Sequence, residues 1–340
     1  MRRLERLALA LGALLLAALP AAAQDAGTFF RGKTIHVEVG YSAGGGFDQY
    51  ARLLARHYGR HIPGEPAFAV ENMPGAASLK SVQYLDHGAV ADGTVITTFD
   101  PGLITRSLTV PDKLGGVRFT DYAWIGSISE DVRVCYVWAA TGIDSFEKLR
   151  ARNKETILGL AGVGTTSDVN AHMLVEMFGV RLKMVQGYAG SAEKRIAIES
   201  GELDSDCGSW TSVPEDWLRD RKVNMVLRFS ENLVPGLDAS VPYAALLLKD
   251  AAQKDVYRLL MDPSRLGRPF IAPKAVPADR LAILRAGFDA TMKDPAFLAE
   301  AAKQKLLVSP IGGPRAEAAV RELGSASPAT IAEAKRISGE

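Results

Sequence analysis

The feature that most constrains the fold is a repeated alternation of strand and helix patterns in two stretches of the 340-residue chain. Apolar residues in alternate positions indicate strands, and apolar residues spaced three to four apart indicate helices. The first stretch predicts strand 34–40, helix 47–61, strand 67–71, helix 76–85 and strand 94–99. The second predicts helix 145–152, strand 156–160, helix 168–178, strand 181–186, helix 191–200 and strand 203–207. Because strands that alternate with helices form parallel sheets, the pattern predicts two α/β lobes.

The segment 122–139 lies between the two stretches and contains two apolar runs on either side of Asp131. These runs predict either a strand connection that crosses from one lobe to the other or an ordinary pair of core strands. The chain from residue 250 onward is largely helical. Helices are predicted at 279–292 and 294–305, and each opens on an acidic residue that suits a helix N-terminus.

The N-terminus has the three parts of a signal peptide. Arg2, Arg3 and Arg6 precede an apolar run at 7–19, and three alanines at 21–23 offer a cleavage site. The apolar run is shorter than the roughly 20 residues of a membrane-spanning helix, and no cysteine lies near the cleavage site to accept a lipid. The sequence therefore predicts cleavage near residue 23 and export to the periplasm as a soluble protein.

The charge balance argues against a polyanionic partner. Removing residues 1–23 takes three arginines and one glutamate from the 40 basic and 39 acidic residues, which leaves 37 basic against 38 acidic residues. Nucleic acids are bound by clustered Lys and Arg, and the sequence has no basic run of useful length. Neither nucleic acid nor an anionic membrane surface is expected as a partner.

Cys135 and Cys207 are the two cysteines of the sequence. An even pair in an oxidising compartment forms a disulfide if the fold brings the two residues together. The alternative is two separate buried thiols that pack as small apolar groups. Neither cysteine has a second Cys or His at ligand spacing, so a metal site is not expected.

The first candidate binding loop contains Gly44, Gly45 and Gly46, between the first predicted strand and helix. Backbone N–H groups without side chains at a helix N-terminus converge readily on an anion such as a carboxylate. Glycines of this kind also serve ordinary tight turns. Asp48 falls in the first helical turn, where its charge suits the helix dipole, so a structural role competes with a ligand contact.

The second candidate loop repeats this arrangement at 162–167, with hydroxyls on Thr165, Thr166 and Ser167. If the two lobes close, the two loops face one another. Hydroxyl and carboxylate side chains at this position are also typical helix caps, and Ser167 or Asp168 is the expected cap here.

An enzymatic alternative rests on the G-x-S-x-G pattern at 40–44, which places Ser42 in the position of a hydrolase nucleophile. Hydrolases of that class form several strands before this motif, whereas here it follows the first strand. A general base must also lie downstream, and His172 is the last histidine of the chain, in the middle of a predicted helix of the second lobe.

Other motifs for metals and cofactors are incomplete. His57 and His61 are four residues apart on a predicted helix but lack the glutamate of a zinc-protease helix. The glycines at 44 and 46 lack the third glycine of a dinucleotide fingerprint, because position 49 is Gln. No metal or cofactor is expected.

Six separated motifs resemble one known family. They are VGYSAGGGFDQYARLLARH at 39–57, ENMPGA at 71–76, DGT at 92–94, GVGTTSDVNAHM at 162–173, GYAG at 187–190 and GRPFIAPKAVPADRLAILRAGFDATMKDPAF at 267–297. Together they resemble the substrate-binding receptors of tripartite tricarboxylate transporters, the Bug-type periplasmic solute-binding proteins. The chain departs from that family where Ser42-Ala43 replaces a proline-rich loop and where Cys207 lies near Trp210, so it resembles a divergent branch.

The resemblance implies a type II periplasmic-binding fold, in which two α/β lobes are joined by crossing strands around a ligand cleft. Lobe 1 is expected at 24–130 together with 256–340, and lobe 2 at 131–255. The implied protein is a monomeric receptor, not an enzyme, that closes on a small carboxylate and delivers it to the membrane subunits of a transporter. A role in a sensor and the hydrolase using Ser42 stay open as alternatives. The candidate ligand contacts are Tyr41, Ser42, Ala43, Gly44, Gly45, Gly46, Asp48, Asp100, Gly164, Thr165, Thr166, Ser167, Tyr188 and Trp210.

Overall fold

Two separate β-sheets organise the part of the chain that the structure describes. The computed structural model describes residues 26–340, so the predicted signal peptide at 1–23 lies outside the described residues. The strands are β1 (Thr34–Val39), β2 (Ala67–Asn72), β3 (Val95–Thr98), β4 (Ala123–Ser127), β5 (Arg133–Trp138), β6 (Thr156–Leu160), β7 (Leu182–Gln186), β8 (Ser205–Ser209), β9 (Val223–Arg228), β10 (Pro269–Ala272) and β11 (Ile311–Gly312).

Helices cover these sheets. They are α1 (Ala26–Phe29), α2 (Gly46–Tyr58), α3 (Leu79–His87), α4 (Gly102–Thr109), α5 (Phe146–Ala151), α6 (Thr166–Glu176), α7 (Ser191–Glu199), α8 (Glu215–Arg219), α9 (Ala251–Met261), α10 (Ala278–Thr291), α11 (Pro295–Lys303), α12 (Gly313–Leu323) and α13 (Pro328–Ile337). Within residues 26–340, none of them combines the length and the apolar character that crossing a bilayer requires.

The first sheet has the strand order β11-β4-β10-β3-β1-β2, and the second has the order β7-β6-β8-β5-β9. Each contains the parallel strands that the alternating pattern predicts. In the first sheet β1 is parallel to β2 and β3, and in the second sheet β6 is parallel to β7 and β8. The β1 side chains Ile35, Val37 and Val39 are fully buried under α2. This burial explains why alternating apolar residues predict the strand from the sequence.

Crossing strands connect the two sheets. Strand β4 belongs to the first sheet and β5 to the second, and the return passes from β9 in the second sheet to β10 in the first. The two connections contact each other, because the Asp131 N–H donates to the Ser264 carbonyl at 2.8 Å and the Ile128 N–H donates to the Arg268 carbonyl at 3.0 Å. Gly267 permits this approach, since a Cβ there would lie 2.1 Å from the Asp131 nitrogen. The predicted crossing around Asp131 is confirmed.

Helix starts follow local capping chemistry. Asp294 accepts a hydrogen bond from the Ala296 N–H at the start of α11, as the sequence predicts. Helix α6 instead begins two residues earlier than predicted, because Thr165 caps it by accepting from the Asp168 N–H. The expected caps, Ser167 and Asp168, lie inside the helix. The sequence patterns did not predict the short helix α4 or the strand β9.

The hydrophobic cores do not divide at residue 256, where the sequence places the return to lobe 1. Val256 of α9, together with Ala334 and Ile337 of α13, packs in the same apolar cluster as the core residues of β5 and β6. The lobe boundaries at residues 131 and 256 stay a prediction. Helices α9 and α13 share the core of the second sheet.

The structure joins Cys135 and Cys207 by a disulfide. The two residues lie directly opposite each other on the antiparallel strands β5 and β8, and both are buried. The bond encloses a loop with a sequence separation of 72 residues. It links the crossing strand β5 to the central strand of the second sheet.

We expect this bond to stabilise the protein by about 4 kcal/mol, since closing a loop of this length removes entropy from the unfolded chain. A thiol reductant should lower the melting temperature of the wild type and leave that of a Cys135→Ala/Cys207→Ala double variant unchanged. Two freely alkylated thiols in denatured protein that was purified without reductant would contradict the prediction.

Candidate functional site

A cavity of about 60 Å³ lies between the two sheets, where the carboxyl ends of their parallel strands meet. Ligand sites of open α/β sheets form at this position because the connecting loops diverge there. Its lining residues come from the loops after β1, β3, β6, β7 and β8 and from the crossing segments. They are Tyr41, Ser42, Gly45, Gly46, Phe47, Asp100, Asp131, Arg133, Ala161, Ser167, Gly190, Ser191, Lys194, Asp206, Gly208, Ser209, Ser212 and Arg268.

The loop between β1 and α2 is held from behind by Asp48. Its carboxylate accepts hydrogen bonds from the Gly44 N–H at 2.9 Å, from Arg52 Nε at 2.9 Å and from Asn72 Nδ2 at 2.9 Å. Burial opposes the charge of Asp48, but the hydrogen bonds from Arg52 and Gly44 outweigh it, so its pKa lies below the ordinary value. Asp48 shapes the loop and does not line the cavity.

Two helix N-termini face each other across the cavity. Helix α2 begins after Gly45 and α7 begins after Gly190, and neither has a side-chain cap. A Cβ on Gly45 would lie 3.8 Å from Ser191 Oγ, and a Cβ on Gly190 would lie 2.9 Å from Ser42 Oγ. The free N–H groups and partial positive charge of both helix ends therefore point to the same small space, which suits an anion.

Two buried side-chain donors at this cavity lack partners. Ser42 Oγ and Arg268 Nε are inaccessible to solvent and have no hydrogen-bond partner among the described residues. The Arg268 guanidinium lies over the rings of Phe47 and Tyr50, at 4.8 and 5.1 Å from their centroids. Because buried polar groups are almost always hydrogen-bonded, these atoms mark a place where a ligand group or water belongs.

A buried ion-pair cluster forms the floor of the cavity. Asp131 pairs with Arg133 at 2.9 Å and with Arg268 at 3.3 Å, and Lys194 pairs with Asp206 at 2.6 Å. Burial alone would raise the pKa of Asp131, but the charges of Arg268 and Arg133 outweigh it, so the pKa lies below its usual range. All five residues are at most 5% exposed. The cluster therefore holds charged groups in fixed positions beside the helix ends.

The loop at 164–167 is the second predicted anion cradle. Most of its hydrogen-bond donors already bond to other groups of the protein. The Thr166 N–H and Oγ1 donate to Asp100 Oδ1 at 3.1 and 2.5 Å, and the Gly164 N–H donates to Asp168 Oδ2 at 2.8 Å. Ser167 Oγ accepts from Arg133 Nη2 at 2.8 Å. Of this loop, Ser167 alone lines the cavity.

The structure thus divides the predicted ligand contacts into two groups. Those that line the cavity are Tyr41, Ser42, Gly45, Gly46, Asp100 and Ser167. Those that do not are Ala43, Gly44, Asp48, Gly164, Thr165, Thr166, Tyr188 and Trp210. Tyr188 donates to Glu202 outside the cavity, and Trp210 packs beside Gly236 in a neighbouring groove.

Apart from Asp100, the charged residues that line the cavity were not predicted from the sequence. Arg133 and Arg268 belong to crossing segments, and Lys194 and Asp206 belong to α7 and β8. The sequence pattern that could have identified them is a charged residue in or next to an otherwise apolar strand, as with Arg133 at the start of β5. No group of His, Cys, Asp and Glu within residues 26–340 has the arrangement of a metal site.

Comparison with solved structures decides the fold. The periplasmic binding protein BugD is 21% identical over 91% of this chain and 99% of that protein, with a TM-score of 0.72. This chain has the fold of the periplasmic binding proteins. MatC from Rhodopseudomonas palustris, solved with bound malate, is 18% identical over 91% of this chain and 100% of that protein, with a TM-score of 0.69. A second R. palustris protein, solved with adipate, is 18% identical over 91% and 97%, with a TM-score of 0.69.

The sequence matches no protein-family model and no curated protein. The periplasmic-binding fold, with two α/β lobes and crossing strands, confirms the fold that the six motifs imply.

The ion pairs of Asp131 should make the free energy of unfolding depend on pH in the acidic range. Because the folded pKa lies below the ordinary value of 3.8, this stabilisation is present above about pH 4 and is lost as the pH falls through the folded pKa. Asp131→Asn leaves two buried guanidiniums without their anion, so we expect a loss of about 3–5 kcal/mol at pH 7 in urea unfolding. The difference from wild type should shrink at pH 3.

Asp144→Asn is the matched control, since Asp144 forms an exposed pair with Lys148. It should change the free energy of unfolding by less than about 1 kcal/mol. An Asp131→Asn penalty of the same size at pH 7 and pH 3 would show that ionisation of Asp131 is not the cause.

Proposed function

We propose that this protein is a periplasmic solute-binding receptor that captures a small carboxylate between its two lobes and delivers it to a membrane transporter. The observation that carries the proposal is the pair of uncapped helix N-termini, of α2 and α7, that face each other beside the unpartnered Arg268 Nε. Together they provide an electropositive, buried space for one anionic group.

The two helix ends come from different lobes, which accounts for binding coupled to closure. A carboxylate that contacts both helix ends gains its full binding energy only when the lobes are together. That difference in affinity between open and closed forms is what shifts the population towards the closed form. The closed form then displays a surface that membrane subunits can distinguish from the open one.

Three further observations support the compartment and the ligand class. The N-terminal arginines, apolar run and alanines have the pattern of a cleaved export signal. Proteins of the same fold include periplasmic binding proteins, and two of them were solved with the organic acids malate and adipate. We propose a monomer that acts without a cofactor.

The hydrolase alternative lacks its catalytic partner. Ser42 Oγ has no hydrogen-bond partner among the described residues, so no histidine activates it. The ring of His172 packs against Gly339, and its nearest carboxylate is Asp168 at 3.8 Å. Binding without catalysis is the function that this arrangement supports.

A thermal-shift screen tests the proposal. Among organic acids, amino acids and neutral sugars, we expect stabilisation by carboxylates and none by sugars, because only an anion uses both helix ends. A ligand at about 100 times its dissociation constant should add about 2.7 kcal/mol of stability. A screen in which uncharged compounds alone stabilise the protein would contradict the proposal.

Substitution at Gly45 separates charge from volume. Its φ of −81° is accessible to any residue, and a Cβ there would make ordinary contacts at 3.7 and 3.8 Å. Gly45→Asp puts a like charge at the anion site and should abolish binding of the carboxylate found in the screen, whereas Gly45→Asn adds the same volume without charge and should retain much more affinity. Isothermal titration compares the two, with circular dichroism to confirm folding. Equal affinity of both folded variants would show that the end of α2 does not hold the anion.

A further inference from the structure

Asp100 is a carboxylate inside the cleft whose acceptor capacity is filled by the protein. Oδ1 accepts from the Gly102 N–H at 2.8 Å, the Thr166 N–H at 3.1 Å and Thr166 Oγ1 at 2.5 Å. Oδ2 accepts from the Tyr41 hydroxyl at 2.8 Å. A carboxylate has about four acceptor sites, so Asp100 has little capacity left for a ligand donor.

The donors to Asp100 are those of an anion-binding cradle. Gly102 begins α4 in the first lobe, and Thr166 begins α6 in the second lobe. Backbone N–H groups at two helix N-termini, helped by two hydroxyls, are the groups expected to hold a ligand carboxylate. Here they hold a carboxylate of the chain itself, at 4% exposure.

The packing around this cradle leaves no second position for an anion. A Cβ on Gly102 would lie 2.8 Å from the Gly164 carbonyl oxygen and 2.9 Å from both Asp100 Oδ1 and the Thr166 nitrogen. The first turn of α4 therefore lies directly against the second-lobe loop. A ligand group can enter the cradle only by displacing Asp100.

The charged side chains that line the cavity balance in number only when Asp100 is counted with them. Asp131 and Asp206 lie against Arg133, Arg268 and Lys194, and Asp100 equalises the count of acids and bases among the lining residues. Among the residues that line the cavity, the side-chain donors without a hydrogen-bond partner are Arg268 Nε and Ser42 Oγ. They form one anion site, not two. The cavity volume of about 60 Å³ favours a short ligand.

We propose that Asp100 acts as an internal substitute for a ligand carboxylate, so that the receptor selects short monocarboxylates and excludes dicarboxylates. The inference rests on the proposed function and names its ligand class. Asp100 is the residue that determines specificity, because it occupies the second anion cradle and would repel a second ligand carboxylate. It also ties the first lobe to the second through Thr166.

The test uses acids matched in chain length, butyrate against succinate and propionate against malonate, titrated into the full mature protein. Wild type should bind each monocarboxylate at least tenfold more tightly than its dicarboxylate partner. Asp100→Ala empties the cradle, so the ratio should move by at least tenfold towards the dicarboxylate. Adding formate to Asp100→Ala should refill the cradle and restore tight binding of the monocarboxylate.

Asp100→Asn is the matched control, because its amide keeps the volume of the side chain in the cradle without its charge. It should not gain affinity for succinate to the extent that Asp100→Ala does. The inference is overturned if wild type binds succinate as tightly as butyrate, or if folded Asp100→Ala keeps the wild-type ratio.

Failure of the inference and failure of the proposed function give different results. If carboxylates bind but the ratios do not follow this pattern, the specificity role of Asp100 is wrong and the receptor proposal stands. If no carboxylate binds wild type, both are wrong. Should Asp100→Ala fail to fold, the wild-type ratios for the two acid pairs still decide the question.

Discussion

The buried carboxylate of Asp131, held between Arg133 and Arg268, is the interaction on which the arrangement of the two lobes depends. Asp131 lies in the connection from β4 to β5, and Arg268 lies at the start of the return strand β10. Buried charges of this kind contribute little net stability compared with an apolar core, but removing one partner is costly. The three side chains therefore hold the two crossing segments together. They do so mainly because separating them would leave buried charges without partners, and less because the ion pairs add net stability.

The same ion pairs supply the site with its cationic group. Nη1 and Nη2 of Arg268 donate hydrogen bonds to Gly267, Asp131, Ser209 and Thr211, which fix the guanidinium in place. Its Nε has no hydrogen-bond partner among the described residues. Because the other guanidinium nitrogens of Arg268 are already hydrogen-bonded, its side chain loses no rotational freedom when a ligand binds at Nε, which favours affinity. The crossing that positions the lobes thus also orients a donor of the binding cavity.

Much of the fold could be predicted from the sequence because its strands are buried and its helices have one apolar face. The strands around Ile35 and Leu158 were predicted within one residue of their observed ends. Strand β9 was missed, since its buried and half-buried residues do not alternate along the strand. Within the site, the glycine loop before α2 was found because consecutive glycines between a strand and a helix expose backbone N–H groups at a helix N-terminus.

Sequence by itself determined the alternation of strands and helices and the first glycine loop, because each depends on residues close together in the chain. Only the tertiary structure decided which anion cradle is free. Thr166 and Asp100 are 66 residues apart, and Arg268 and Asp131 are 137 apart. Local patterns carry no information about such pairs, since their contact depends on how the two sheets pack. Packing alone determines that one cradle is filled by the protein's own carboxylate and that Ser42 Oγ and Arg268 Nε, at the other, have no hydrogen-bond partner among the described residues.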